Sequence, residues 1–434
     1  MAEADSLDVP SVRSTVGRRL ILFSAAFPYG FGEQFLETEL PYLAAGFRKV
    51  LLVPRSKVGV ARAVPANVIV LTALARGRSR RWLDAIGAAL RLPFSRDAWL
   101  EVVSRWQMLW KIGALRRLVA MYAEGFCVRN LILSEYRRRD LDEHDVVYTY
   151  WLSGATLGAV LARRVIPDLR VLTRAHGVDL YEERSSPAYL PFRNVILANT
   201  GAVHAVSDDG AAYLRQRWPS ACRNVRVSRL GVRDPMCDAL PSADEVFRVV
   251  SCSFVIAIKR LDLIVDALVL LANRLPGRKM EWTHIGDGPL RARVASRAAT
   301  EMPANIRARF LGELSNRDVL DFYRQHAVDV FVNVSASEGI PVSIMEAQSF
   351  GIPVVATGVG GTPEIVNAGN GTLLPPNPSK DAVCQALEAF ISGAAGIYAK
   401  RTASKASWRT SYNAEINYTA FVRDLRCQAS HTRQ

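Results

Sequence analysis

Short apolar runs alternate along the chain with helix-length segments. "RLILFSAAF" (19–27) comes first, then the turn "PYGFGE" and a helical stretch from Gln34 to Ala45. "KVLLVP" (49–54), "VVYTYWL" (146–152), "RVLTRAHG" (170–177) and "AVHAVS" (202–207) continue the series. "RVVSCSFV" (248–255), "MEWTHIGDG" (280–288), "ARFLG" (308–312), "VDVFVNVS" (328–335) and "IPVVATG" (352–358) repeat it in the second half. Apolar, β-branched runs separated by helices predict parallel strands covered on both faces. The Pro/Asp/Ser-rich piece "DPMCDALPSADE" (234–245) divides the two series and suits a linker. The expected fold is α/β, with two doubly wound Rossmann-like domains facing a central cleft. Their expected spans are 1–238 and 239–405, with 406–434 packing back on the first domain. In such sheets ligands bind beyond the carboxyl ends of the strands.

The densest chemistry lies in "SEGIPVSIMEAQSFGIPVVATGVGG" (337–361), where Glu338 and Glu346 sit among apolar residues and glycines. "ASEGI" is the loop after a strand. Pro341 suits the first position of a helix that Gly351 would stop. The free amides and dipole at Gly339–Ser343 would favour an anion. Paired carboxylate acceptors suit vicinal diols, as on a sugar or a ribose. A second helix start is expected at Thr362 as N-cap, Pro363 and Glu364. Two helix N-termini would then face one cleft and hold a diphosphate. Surface acids that merely solvate a loop and a helix are the plainer alternative.

The segment "EGIPVSIME" followed by "AQSFGIPVVATGVGGTPEIV" resembles the E-x7-E signature of retaining glycosyltransferases of family 4, which have the GT-B fold. "VVSCSFVIAIKRLDLIVDAL", "HIGDGPLRARV", "ARFLGELSNRDVLDFY" and "NYTAFVRDL" follow the same family's order, and "FPYGFGEQFLETEL", "TRAHGVDLYEE" and "RLGV" match it more loosely. The resemblance is greatest to members that build bacterial exopolysaccharide or O-antigen chains. It implies that Glu346 holds the ribose hydroxyls and that Glu338 lies by the donor sugar. Gly339, Ile340, Pro341 and Val342 would contact sugar or phosphate through their backbone. Lys259 resembles the lysine that neutralises the leaving diphosphate. The family's arginine five residues earlier is replaced by Phe254, and Arg260 is the candidate substitute. His176, at a strand end before a glycine turn, resembles the family histidine near the reacting centre; a structural histidine is the alternative there. Arg174 and Asp179 are further candidates. Gly30 and Gly32 resemble the glycine loop beside donor and acceptor, and a simple turn would read the same way.

The implied chemistry is transfer of a sugar from a UDP- or GDP-sugar, as co-substrate, to a saccharide or lipid-linked acceptor. No cofactor and no metal are expected. Two other readings stand beside it: a glycoside hydrolase using Glu338 and Glu346 as acid and nucleophile, and a non-catalytic GT-B-like protein that binds membrane or partners.

Charge adds one element. The formal net charge is +14, and residues 1–238 carry 34 Lys+Arg against 23 Asp+Glu, whereas 239–434 carry 21 against 18. Residues 76–117 hold ten Lys/Arg, three Asp/Glu and Trp82, Trp99, Trp106 and Trp110. That mixture suits a helix in an anionic membrane interface. Phosphate and base contacts with nucleic acid would use similar residues, but no nucleic acid is expected; a helix pair with core tryptophans is the remaining reading. "DLDE" (140–143) precedes a strand and is read as a solvated helix end. "GDG" (286–288) is read as a turn beside the nucleotide base. The six cysteines show no CxxC or metal-ligand spacing. "MAEADSLDVPSVRS" lacks an apolar core and no run of about 18 apolar residues occurs, so the expected location is cytoplasmic, with peripheral attachment to the inner face of the membrane as the alternative.

Overall fold

A computed structural model describes residues 18–30, 32–75, 78–138 and 145–427. Two all-parallel sheets organise them. The first contains β1 (Arg19–Ser24), β2 (Lys49–Pro54), β3 (Val68–Val70), β4 (Val146–Thr149), β5 (Arg170–Ala175), β6 (Ala202–Ala205) and β7 (Val225–Val227), in spatial order 3-2-1-4-5-6-7. The second contains β8 (Val246–Cys252), β9 (Lys279–Ile285), β10 (Ile306–Phe310), β11 (Val330–Asn333), β12 (Val354–Thr357) and β13 (Gly371–Leu374), in order 10-9-8-11-12-13. The order reverses between β1 and β4 in one sheet and between β8 and β11 in the other. These are the points where an open parallel sheet leaves a crevice for a ligand.

The helices of the first unit are α1 (Gln34–Gly46), α2 (Arg78–Arg91), α3 (Arg96–Leu109), α4 (Ala114–Arg137), α5 (Gly154–Arg163), α6 (Arg193–Asn199) and α7 (Asp208–Arg217). Those that follow are α8 (Leu261–Arg274), α9 (Arg291–Glu301), α10 (Asn316–Gln325), α11 (Val342–Ser349), α12 (Lys380–Ser392), α13 (Ala394–Ser411) and α14 (Ala414–Cys427). No single helix among the described residues is long and apolar enough to cross a membrane. "DLDE" (140–143) lies outside the described residues.

Every strand expected from an apolar run is present; β2 fills its run, and the others end before theirs do. In "RLILFSAAF" the ladder ends at Ser24, and Ala25–Phe27 become the loop that faces the crevice. Strands β3, β7 and β13, which have no counterpart among the expected runs, are three- or four-residue edge strands. An edge strand is half covered, so its sequence has no long apolar run to show.

Arg174 proves to be structural. It lies on β5, fully buried, with Nη1 3.2 Å from the equally buried Glu39 of α1. Tyr148 donates to the same carboxylate at 3.0 Å, and the Phe421 ring lies 4.1 Å from the guanidinium carbon. Phe421 belongs to α14, which packs on α1 through Val422 and Leu425 as well. Helix α13 stays with the second sheet: Trp408 is fully buried in the core containing α11 and donates Nε1 to the Val232 carbonyl at 3.2 Å. The chain thus passes between the units twice, once near residue 232 and once near residue 413. The passages are bonded to each other: Val232 N donates to Tyr412 O at 2.9 Å, and Ala414 N to Val232 O at 3.1 Å.

Candidate active site

Strands β8 and β11 deliver the second unit's charged groups to its reversal point. Lys259 ends a single 3-10 turn (Ala257–Lys259) in the loop after β8, and Glu338 lies in the loop after β11. The Lys259 Nζ donates to Glu338 Oε1 at 2.6 Å, and Asn333 Nδ2 approaches the same oxygen at 3.3 Å. Burial pushes the Glu338 carboxyl up, but the Lys259 charge and hydrogen bonds from Lys259, Ser335 and Asn333 outweigh it and hold the group below the usual carboxylate range. Glu338 is therefore an anion, and Lys259 its counter-charge.

Glu346 is the opposite case. It is the fifth residue of α11, only 7% exposed, and among the described residues its one side-chain partner is Asn316 Nδ2. Burial pushes its pKa up to about 7, with Asn316 offsetting only part of the effect. Burial also raises the Cys252 thiol and the Tyr323 phenol, and the Glu346 charge adds to both.

Helix α11 starts one residue later than expected. Pro341 is its N-cap, with extended ψ of 108°, because its carbonyl takes the first helical bonds from Ile344 and Met345. Gly351 stops the helix with φ of +71°, as the sequence pattern required. The second expected helix does not form. Thr362–Glu364 is a single 3-10 turn capped by Gly361, because Glu364 is drawn away to the other unit. Its carboxylate accepts from Asp208 N at 3.0 Å and Asp209 N at 2.9 Å, the first amides of α7. An acid from one unit thus occupies the anion-favouring end of a helix in the other.

Arg260 is committed to loops. Its guanidinium donates to Val334 O (2.6 Å), Ser335 O (2.8 Å), Pro376 O (2.8 Å) and Asn377 Oδ1 (3.2 Å). Phe254, where the family pattern has arginine, is 56% exposed in the loop after β8. Gly286 and Gly288 turn the chain after β9 against that loop: a Cβ at Gly286 would lie 2.0 Å from Ser253 O.

His176 follows β5 in the first unit. Its ring packs on Trp151, Tyr150 and Phe35, with centroids at 4.4, 4.7 and 5.7 Å. Nδ1 lies 3.7 Å from Asp179 Oδ2, and neither ring nitrogen has a hydrogen-bond partner among the described residues although both are buried. Asp179 instead ties the backbone, accepting from Leu152 N and His176 N at 2.9 Å and Gly177 N at 3.0 Å. The units meet here. A Cβ on Gly339 would lie 2.4 Å from His176 O, and Arg184 Nη2 donates to Ser337 O at 2.9 Å. Lys259, Glu338, Gly339 and His176 are therefore neighbours in one constellation. Ile340 is buried, its side chain turned into the core of the second unit, with Pro341 and Val342 following at the helix start.

Gly30 and Gly32 have φ of +63° and +101°, in the loop after β1. The Val58 carbonyl flanks Gly30, and Gly32 borders open space. The residue that organises this loop was not among the expected ones. Glu33, 3% exposed, accepts from Ala25 N (2.9 Å), Ala26 N (2.7 Å), Phe27 N (2.7 Å) and Trp151 Nε1 (2.6 Å). Three loop amides that could cradle an anion already hold this carboxylate. Its signal in the sequence was an acid placed directly between a glycine turn and an apolar helix. Beside it, at the β1/β4 reversal, lies a mainly apolar cavity of about 560 Å³ bordered by Ser24, Arg55, Arg117, Met121, Glu124 and Trp151.

Fold and site together define a GT-B architecture. The family described as Glycosyl transferases group 1 matches residues 247–392, the unit that carries Lys259, Glu338 and Glu346. The match to the group 1 glycosyltransferases thus covers the second unit. Its relatives include the O-antigen biosynthesis glycosyltransferase WbnH of Escherichia coli, 37% identical over 24% of this chain and 28% of the relative. They also include the putative colanic acid biosynthesis glycosyltransferase WcaL of Escherichia coli K12, 27% identical over 71% of this chain and 76% of the relative. The match thus spans little more than a quarter of WbnH, and 48% of the amylovoran biosynthesis glycosyltransferase AmsK of Erwinia amylovora. Among solved structures, Anabaena HepE in complex with UDP and glucose superposes with TM-score 0.65 at 16% identity, covering 95% of this chain and all of HepE. Sucrose-phosphate synthase from Thermosynechococcus elongatus superposes with TM-score 0.66 at 17% identity, covering 94% and 98%.

Proposed function

We propose that the protein transfers a sugar from a nucleotide-diphosphate sugar, with UDP the favoured nucleotide, to a hydroxyl of a saccharide acceptor in cell-surface polysaccharide synthesis. The observation that carries the reading is the Lys259–Glu338 pair at the β8/β11 reversal, next to Gly339, whose backbone meets the His176 carbonyl of the opposite unit. The relatives' roles in O-antigen and colanic acid synthesis, and the UDP and glucose bound to HepE, agree with it.

On this reading the donor lies against the second unit. The Glu346 carboxylate accepts from the ribose hydroxyls, and the Lys259 ammonium turns from Glu338 to the diphosphate. There it stabilises the charge that develops as the leaving group departs. Amides at Gly339–Ser343 contact the phosphates or the sugar. A buried His176 ring nitrogen without a partner bonds a sugar hydroxyl. Arg260 positions the donor loops rather than touching the diphosphate. The acceptor enters the cavity at the β1/β4 reversal, whose apolar wall suits the lipid-proximal part of a lipid-linked saccharide.

The transfer proceeds with retention. The bond from the sugar's anomeric carbon to the diphosphate oxygen breaks, and the acceptor oxygen bonds that carbon on the same face. The acceptor proton passes to the departing phosphate. Calorimetric titration with UDP, GDP and their sugars tests the donor site, with Glu346→Ala alongside. Binding of one nucleotide series, lost in the variant, is expected. Unchanged affinity in Glu346→Ala would refute the assignment, and cleavage of oligosaccharides without any nucleotide sugar would replace it with hydrolysis.

A further inference from the structure

Helix α3 packs Val102, Met108 and Leu109 against the core but turns much of its apolar surface outward. Its buried face carries Asp97, Ala98 and Glu101, while Trp99, Leu100, Val103 and Trp106 are 53–68% exposed. Trp99 and Val103 stand one turn apart, and Trp106 and Trp110 follow beyond a kink at Arg105, all four exposed. A helix that only covered a sheet would turn these side chains inward and its acids outward. Here the acids are fixed inside by partners: Arg164 donates to both Asp97 oxygens at 2.6 and 2.7 Å, and Tyr189 to Glu101 at 2.7 Å. The apolar surface continues past both ends of the helix, through Leu90 (69%) and Phe94 (90%) before it and Trp110 (82%) and Ile112 (98%) after it. It is too extended for isolated surface apolar residues.

The charge around this surface has one sign. Between residues 91 and 117 both acids are buried, whereas Arg96, Lys111 and Arg116 are exposed and carry no ion pair among the described residues. Aromatic and aliphatic side chains bordered by unpaired cations match an anionic bilayer surface, with rings at the headgroup boundary and cations on lipid phosphates. The Trp99 indole N–H already donates to Pro93 O at 2.6 Å, so the ring can leave water without losing a hydrogen bond. A second cavity, about 290 Å³, lies between α2 and α4 and is lined by Leu83, Arg91 and Phe126. It shares Leu74 and Cys127 with the 560 Å³ cavity at the β1/β4 reversal.

We infer that the surface formed by α3 and its flanking turns lies flat on an anionic lipid bilayer, with Trp99, Trp106, Trp110 and Phe94 in the headgroup boundary. The inference stands without the transferase reading, and its test contains no donor and no acceptor. The full chain is floated with vesicles of phosphatidylcholine alone and of phosphatidylcholine with about a third phosphatidylglycerol, at low and high salt. Binding to the anionic vesicles is expected, weakened by salt and at least about tenfold stronger than to the neutral ones. Trp106→Ala with Trp110→Ala should lower the affinity at least about tenfold. Arg96→Gln with Lys111→Gln and Arg116→Gln should abolish the preference for the anionic lipid. Both variants should keep the melting temperature of the unaltered chain. Should the tryptophan variant fail to fold, brominated acyl chains provide the same test on the unaltered protein by quenching its tryptophan fluorescence. Flotation that is absent, or indifferent to both variants, would overturn the inference. So would a dimer in solution that Trp106→Ala dissolves, since the face would then join two copies of this chain.

Discussion

Replacing Glu346 by glutamine separates the cost of a buried carboxylate from its use. Glu346 has one side-chain partner among the described residues, Asn316, and burial lifts its pKa from 4.5 to about 7. In the unfolded chain it titrates near the ordinary value. The folded pKa therefore lies above the unfolded one. The associated stability is full below the unfolded pKa and is lost as pH rises through about 7. Each tenfold change in proton affinity is about 1.4 kcal/mol, so keeping the carboxylate ionised near pH 8 costs the folded state about 3 kcal/mol. Glutamine has nearly the same shape, retains an oxygen for Asn316 and does not ionise. Urea unfolding of Glu346→Gln should show a gain approaching about 3 kcal/mol near pH 8, less the cost of burying the new amide N–H groups, and most of that gain should be gone near pH 5. Nucleotide binding should move the other way. A ribose diol donates to the ionised carboxylate, so UDP affinity of the unaltered protein should fall by up to about tenfold per pH unit below about 7, with proton release on binding. The glutamine variant should bind weakly at every pH. A stability difference that did not change with pH would refute the reasoning, because the penalty attributed to ionisation would then have another source.

Three further outcomes are expected. Lys259→Met leaves Glu338 as a buried anion without its counter-charge; it should destabilise the protein by about 1–3 kcal/mol in urea unfolding and abolish transfer. The Glu338 pKa lies below 4.5, so the stability this pair supplies is present above that value and lost as pH falls through the lower folded pKa; the variant should be missing that acid-side loss. Gly339→Ala places a Cβ 2.4 Å from His176 O, so steady-state kinetics should show turnover lowered by about a hundredfold while UDP affinity, measured by titration, changes little. Glu33→Gln sets an amide N–H₂ against donor groups in the loop after β1, so the Ala25–Phe27 amides should exchange their hydrogens faster and stability should fall by about 1–3 kcal/mol.

The central strands and the donor loops were legible because they are consecutive in the chain. A strand buried on both faces is an apolar run, and "ASEGI" followed by a proline and a glycine-stopped helix lies within one stretch. Interactions across the chain were not legible. Glu364 reads locally as a first-turn acid of its own helix, yet its carboxylate serves α7, more than 150 residues earlier. Arg260 reads as a spare cation beside Lys259, yet carbonyls from two loops surround it. Arg174 reads as a strand-end candidate, yet α14, added at the far end of the chain, buries it. Trp99, Trp106 and Trp110 read equally as core or surface until the inward acids of α3 are located. In each case the deciding partner is remote in sequence, and periodicity carries no information about it.

The two passages of chain between the units have a mechanical consequence. Had they been far apart, the units would be braced at two separated points and could scarcely move against each other. Because Val232 is bonded to Tyr412 and Ala414, both passages coincide along one line. Motion about that line would use small dihedral changes in a few residues and release the Glu364 bonds to Asp208 and Asp209 and the Arg184 bond to Ser337, whereas twisting across it would also tear the paired backbone bonds. A hinge on that line would carry the two halves of the constellation at Gly339 and His176 along a single arc and back to the same register.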